Sequence, residues 1–162
     1  MPRVARSLLP PEGVFHITVR GVARTAICRD AVDFRALQRQ LDEVARRFSW
    51  DVFAYCLMPN HFHLVVATEL GRLSAGMQRL NGLYAQRFNR RHDRVGHVFQ
   101  NRFWSSVIDD EEHFANAIAY VASNPVDAGL CTRSVDWPWA ASRFDSDMSE
   151  GLSLRHVPGT VP

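Results

Sequence analysis

Two stretches of alternating residues, 50–58 and 61–68, are separated only by Pro59-Asn60, and so short a turn-forming link constrains them to an antiparallel hairpin. In the first, Val52, Ala54 and Cys56 alternate with Phe53, Tyr55 and Leu57. In the second, Phe62, Leu64 and Val66 share one face, and His61 and His63 fall on the other. The turn puts the histidines at the start of their strand, near the rim of a sheet. Two imidazoles side by side at a rim form a metal-ligand geometry. The bland alternative is a pair of polar residues on a solvated strand face.

The flanks decide what sheet this hairpin joins. Residues 14–20, with β-branched alternation ending at Gly21, read as a strand. From Asp33 the period changes: Phe34, Leu37, Leu41, Val44, Ala45 and Phe48 recur at helical spacing, with Arg35, Arg39, Asp42 and Arg46 on other faces. After the hairpin, Leu73, Met77, Leu80, Tyr84 and Phe88 mark a second helix, broken at Gly96. Residues 97–108 then predict a strand with a kink at 100–102. Strand, helix, strand, strand, helix, strand is the ferredoxin-like (βαββαβ) order of the α+β class. It places the first and third strands centrally and both helices on one face, leaving the other face free for a substrate. One more helix follows, with Asp109 as N-cap, Glu112 completing a capping box, Phe114, Ile118 and Val121 as its buried stripe, and Asn124-Pro125 as its end. Tyr120 and Asn124, one turn apart, lie on the flank of that stripe. Trp137-Pro138-Trp139 reads as an aromatic docking element. The expected organisation is one domain over 1–144 and a disordered tail over 145–162.

Composition narrows the setting. The 162 residues are 46% hydrophobic and 22% charged, with no apolar run of membrane-span length and no signal-peptide core, so a cytoplasmic protein with no membrane partner is expected. Cys28, Cys56 and Cys131 are too dispersed for a disulfide framework or cysteine zinc site and read as buried thiols. The net charge of +2 names no partner, but its distribution is uneven: 72–102 holds seven arginines against a single acid, Asp93. Guanidinium suits phosphate, which makes Arg79, Arg87, Arg90, Arg91 and Arg102 candidate backbone contacts, with a solvated helix face as the alternative.

Several ordered segments resemble the REP-associated tyrosine transposases, within the insertion-sequence single-tyrosine transposases of the HUH nuclease superfamily. They are Met58-Pro59-Asn60-His61-Phe62-His63-Leu64, the run from Tyr120 through Asn124-Pro125 to Gly129-Leu130, His16-Ile17-Thr18-Val19-Arg20-Gly21, Leu80-Asn81-Gly82-Leu83-Tyr84, Arg87-Phe88-Asn89-Arg90-Arg91-His92, and Gly96-His97-Val98-Phe99-Gln100-Asn101-Arg102-Phe103. The resemblance spans about 2–144. It implies that His61 and His63 hold a divalent metal ion, Mg²⁺ or Mn²⁺, that Asn124 supplies a third ligand, and that Tyr120 attacks a phosphodiester. The substrate implied is single-stranded or hairpin (REP-like) DNA, the intermediate a 5′-phosphotyrosine, and the protein a monomer or homodimer. Related chains commonly carry a histidine two residues after the tyrosine, where Ala122 stands here.

The chemistry is coherent without the family. A phenol of ordinary pKa near 10 is a weak nucleophile at neutral pH, and phosphodiester oxygens repel an incoming anion. A cation on two neutral imidazoles and an amide oxygen keeps positions open for phosphate. Two rival readings stand beside it. A non-catalytic single-stranded nucleic-acid-binding module with an RNA-recognition-like sheet would use exposed aromatics, yet Phe62 falls on the wrong face. A zinc-stabilised regulator would need a better closed site than two histidines and an amide. His16 reads as a polar strand residue and Asn60 as a turn former.

Overall fold

The computed structural model describes residues 9–144; the tail expected at 145–162 and the segment 1–8 lie outside the described residues. The elements are β1 (Glu12–Arg20), α1 (Ala31–Arg47), β2 (Asp51–Leu57), β3 (His61–Glu69), α2 (Leu70–Arg91), β4 (Trp104–Ile108), α3 (Glu111–Asp127) and β5 (Ala140–Ser142), with 3-10 turns at Val22–Arg24 and Ser134–Asp136. The antiparallel sheet runs in the order β4-β1-β3-β2-β5. Its first four places are the expected ferredoxin-like arrangement, with β1 and β3 inside.

One face of the sheet is dry. Phe15, Ile17 and Val19 of β1 and Phe62, Leu64 and Val66 of β3 pack against Leu37, Leu41 and Val44 of α1 and Leu73, Met77, Leu80 and Tyr84 of α2, all essentially inaccessible. The amphipathic stripes read from the sequence are therefore the buried stripes. Asp30 caps α1 by accepting from Val32 N and Asp33 N. Gly21 is required where β1 ends, because a Cβ there would sit 2.2 Å from Thr25 O and 3.3 Å from Asn60 O. Its N–H donates to Asn60 O at 2.8 Å, which seats the Pro59-Asn60 turn against β1.

The opposite face is not free, contrary to expectation: α3 packs on it. Ala117, Val121, Ala54, Cys56, Met58, Val65 and Ile108 form a second, smaller cluster there. Two local features make this possible. A register shift between Val52 and Ala54 interrupts the alternation of β2, so Val52, Tyr55 and Leu57 join the α1/α2 core while Phe53 packs with Ala54 under α3. The helix also runs through Pro125 instead of stopping at it. Proline in the last turn forfeits only one helical hydrogen bond. The real stop is Gly129, at φ +70°, where Leu130 N bonds Pro125 O and Gly129 N bonds Val126 O, the paired closure of a Schellman motif. The N-cap is Asp110, one residue beyond the expected Asp109, with its carboxylate accepting from His113 N.

One further expectation is corrected. The strand expected over 97–108 is confined to Trp104–Ile108; 97–103 is irregular, touching the sheet at the Gly21–Phe99 bridge, and its apolar residues Val98 and Phe103 enter the α1/α2 core from a loop. The aromatic docking element does anchor the chain end: Trp139 stacks on Phe34 at 5.1 Å, and Trp137 Nε1 donates to Leu57 O. It then leads into β5, a three-residue strand on the free edge of β2 that the sequence reading did not include.

Candidate active site

His61 and His63 leave the sheet on the α3 side, with ring centroids 5.0 Å apart and planes nearly perpendicular. Each has one nitrogen already engaged. His61 Nδ1 lies 2.7 Å from Asn60 Oδ1, while the Asn60 amide nitrogen donates to Arg24 O. An amide oxygen only accepts, so His61 carries its proton on Nδ1 and its lone pair on Nε2. His63 Nδ1 is 3.1 Å from both Thr18 Oγ1 and His16 Nε2, the two side chains that β1 presents beside it. Thr18 Oγ1 and His16 Nε2 can each accept from a proton on that nitrogen, the tautomer that leaves Nε2 with its lone pair.

Burial sets the charge state. His63 is held down to about 3, first by desolvation and then by the nearby charges of His61, His16 and Arg20. His16 is lowered to about 4 by desolvation, with a smaller contribution from His113, and His61 is lowered for the same main reason. At neutral pH all three are uncharged, which is the form that binds a metal.

The helix brings the other two residues in. Asn124 lies within hydrogen-bonding reach of both His61 and His63, a contact that partly offsets their lowered pKa values. Its Nδ2 donates to Tyr120 O at 2.7 Å, so Oδ1 is the atom left for the imidazole side. Had α3 ended at Asn124, this side chain would not be held on a helical turn. The Tyr120 ring, half exposed, packs edge-on against His63 at 5.4 Å and His16 at 5.7 Å. His61 and His63 of β3 are thus gathered with Tyr120 and Asn124 of α3 within a single chain. The set of two imidazole nitrogens and one amide oxygen, all neutral, fits a hard or borderline divalent cation such as Mg²⁺ or Mn²⁺. Among the described residues no three His, Cys, Asp or Glu side chains form a metal-holding group, which leaves a closed zinc site without ligands.

The five candidate arginines lie apart from this cluster, on α2 and the segment after it. Arg79 is bound to Glu43 at 3.1 Å, and Arg91 makes a double contact with Asp30 and the buried Asp33. Those two are committed to holding α1 and α2 together. Arg87, Arg90 and Arg102 are exposed and meet no acid among the described residues. Sequence reasoning passed over His16, Asn60 and Thr18 as site residues. His16 and Thr18 were nonetheless signalled, since strand period puts both on the β1 face turned away from Phe15, Ile17 and Val19.

Comparison with known proteins gives a family and a fold. A family profile described as transposase IS200 like matches residues 12–124. A putative REP-associated tyrosine transposase of Haemophilus influenzae is 27% identical over 124 residues, covering 70% of this chain and 69% of that protein. Among solved structures, a REP-associated tyrosine transposase bound to a REP hairpin superposes with a TM-score of 0.71 at 21% identity, over 100% of this chain and 94% of that one. A putative transposase from Deinococcus radiodurans R1 gives 0.50 at 16% identity, over 75% and 95%. Among the described residues no helix is long and apolar enough to cross a membrane.

Proposed function

The chain belongs to the IS200-like transposase family, and from that premise we propose that it cuts and rejoins single-stranded DNA beside a hairpin through a covalent bond to Tyr120. The observation that carries this reading is the packing of the Tyr120 ring against His63, with Asn124 one turn further along α3 and within reach of both histidines. The solved relative bound to a REP hairpin supports a hairpin as the substrate class.

Each residue has a definite task. Nε2 of His61 and of His63, with Oδ1 of Asn124, would hold a divalent cation. When bound, that cation neutralises the non-bridging oxygens of the scissile phosphate and orients the phosphorus. Asn60 and the Thr18–His16 pair keep the two imidazoles in the tautomer that leaves Nε2 unprotonated. Tyr120 Oη attacks phosphorus; its proton passes to solvent, to which the half-exposed side chain has access, and O3′ leaves and is protonated. The new Oη–P bond preserves the energy of the broken one, so a 3′-hydroxyl attacking it restores a phosphodiester and releases the phenol without a nucleotide cofactor.

The test is covalency. With labelled hairpin-bearing single strands and Mg²⁺, the parent chain gives a denaturation-resistant protein–DNA adduct, and Tyr120→Phe gives neither adduct nor cut product while binding the same DNA. Cutting at the parent rate by Tyr120→Phe, with free 5′-phosphate ends, would assign the chemistry to water and defeat the proposal.

A further inference from the structure

The Pro59-Asn60 turn that leads into His61 is fastened to a neighbouring segment, residues 21–28. Gly21 N donates to Asn60 O at 2.8 Å, and Ile27 N and Cys28 N both donate to Pro59 O, at 2.7 and 3.0 Å. Arg24 O accepts from the Asn60 amide nitrogen at 3.4 Å, which turns Oδ1 of that amide toward His61 Nδ1. With the amide rotated by half a turn, Nδ2 would face the imidazole instead. His61 would then accept on Nδ1 and carry its proton on Nε2, the nitrogen a cation needs. The carbonyl of Arg24 therefore decides which end of the amide His61 meets.

That carbonyl is held in an unfavourable place. Ala23 and Arg24 both lie in the left-handed region, at φ +49° and +58°, which residues other than glycine adopt only where their surroundings impose it. Both are exposed, so the packing of their own side chains does not impose it. The restraint comes from the far end of the segment, inside the α1/α2 core. There Tyr84 of α2, essentially inaccessible, donates its hydroxyl to Ile27 O at 2.5 Å. Burial raises that phenol above its ordinary pKa, so it stays a donor. Cys28 Sγ lies 3.4 Å from the same oxygen, and its thiol, pushed up to about 12 by burial, keeps the proton with which it donates in turn. The reaction proposed above uses neither the phenol nor the thiol.

Resting on the reading of His61 as a metal ligand, we propose that Tyr84 is a positioning residue for the metal centre: by pinning Ile27 and Cys28 against the Pro59 carbonyl it keeps the strained segment seated, so that Arg24 O orients the Asn60 amide and His61 keeps Nε2 unprotonated. Tyr84 acts only through that turn. His63 supplies the contrast, because its Nδ1 is met by Thr18 and His16 of β1 and not by the 21–28 segment.

The test is read first on the chain without metal or DNA, at pH 8, by two-bond proton–nitrogen correlation of the imidazole rings, and then by Mn²⁺ titration. In the parent, His61 shows one tautomer, protonated on Nδ1. Tyr84→Phe removes one oxygen and keeps the ring. It gives His61 a mixture of tautomers, leaves the His63 signals in place and weakens Mn²⁺ binding about tenfold, the scale on which a ligand's hydrogen-bonded support acts. Ala23→Pro forbids the left-handed φ at an exposed position and gives the same result from outside the core, which decides the matter even where Tyr84→Phe fails to fold. Asn60→Asp separates positioning from general loosening. Both carboxylate oxygens accept, so no rotation changes what His61 meets, and Tyr84→Phe in that background leaves His61 protonated on Nδ1. An unchanged His61 in Tyr84→Phe and Ala23→Pro, a His63 disturbed as much as His61, or no restoration by Asn60→Asp overturns the proposal. If the tautomers respond as expected but the parent forms no adduct with hairpin DNA and Mg²⁺, the strand-transfer reading falls and the control of His61 by Tyr84 stands.

Discussion

The two faces of the sheet are built from the same strands and do opposite things. On the α1/α2 face, Phe62, Leu64 and Val66 of β3 enter a dry core; on the α3 face of that strand, His61 and His63 enter a half-buried polar cluster. Neighbouring residues of one strand are thus separated by function through the two-residue period alone. The face that stabilises the protein carries none of its candidate chemistry. The face that carries the candidate chemistry is covered by α3 through a smaller cluster, Ala117 and Val121 packing on Ala54, Cys56, Met58, Val65 and Ile108.

That division is best challenged on β3 itself. His63→Ala should abolish adduct formation while costing about 1 kcal/mol of stability or less, because Thr18 and His16 remain partly accessible to water. Leu64→Ala, one residue along, should cost about 2–5 kcal/mol in chemical denaturation and leave specific activity of the folded fraction intact. Comparable loss of stability in both variants would show that the α3 face is as much a core as its opposite. A gentler probe is Asn124→Ala. It should slow cleavage about tenfold and shift the Mg²⁺ dependence upward without abolishing activity, since water can replace one neutral oxygen ligand; initial rates across a Mg²⁺ titration decide it.

The smallest effect is on pH. His16 and His63, at about 4 and about 3, and His61, also lowered, all titrate below the ordinary value of 6.5 because of their burial. The unfolded chain therefore takes up these protons first as pH falls. Stability contributed by the neutral imidazoles is fully present above pH 6.5 and is lost as pH drops through the range toward 4 and 3. Metal-free protein should melt at a lower temperature at pH 5 than at pH 7, and His63→Ala should flatten that dependence. Melting curves independent of pH over this range would mean the histidines are not buried as described.

Much of this was legible because periodicity survives wherever an element is amphipathic. The hairpin, both core helices and the strand order follow from apolar spacing, and the paired histidines from the two-residue step. What failed was non-periodic. Phe53 sits at a bulge, where alternation breaks, and Val98 and Phe103 enter the core from a loop. Pro125 was read as a stop, although the stopping residue is Gly129. Among site residues, His16 and Asn60 act through partners that only the register and the turn bring near. Arg91 resembled a free cation because its partners Asp30 and Asp33 lie 61 and 58 residues away in sequence.

The placement of α3 also has a consequence for the newly made chain. The four strands that carry and flank the histidines are complete at Ile108, whereas Tyr120 and Asn124 come later, on a helix that packs only once that sheet exists. Because synthesis runs from the N-terminus and domains organise in that direction, the paired histidines are translated ahead of Tyr120 and Asn124. A chain released early at the end of β4 would carry the paired histidines without Tyr120. On the proposed mechanism, the order of the genetic message withholds the capacity to break a strand until the sheet that positions the break has been made.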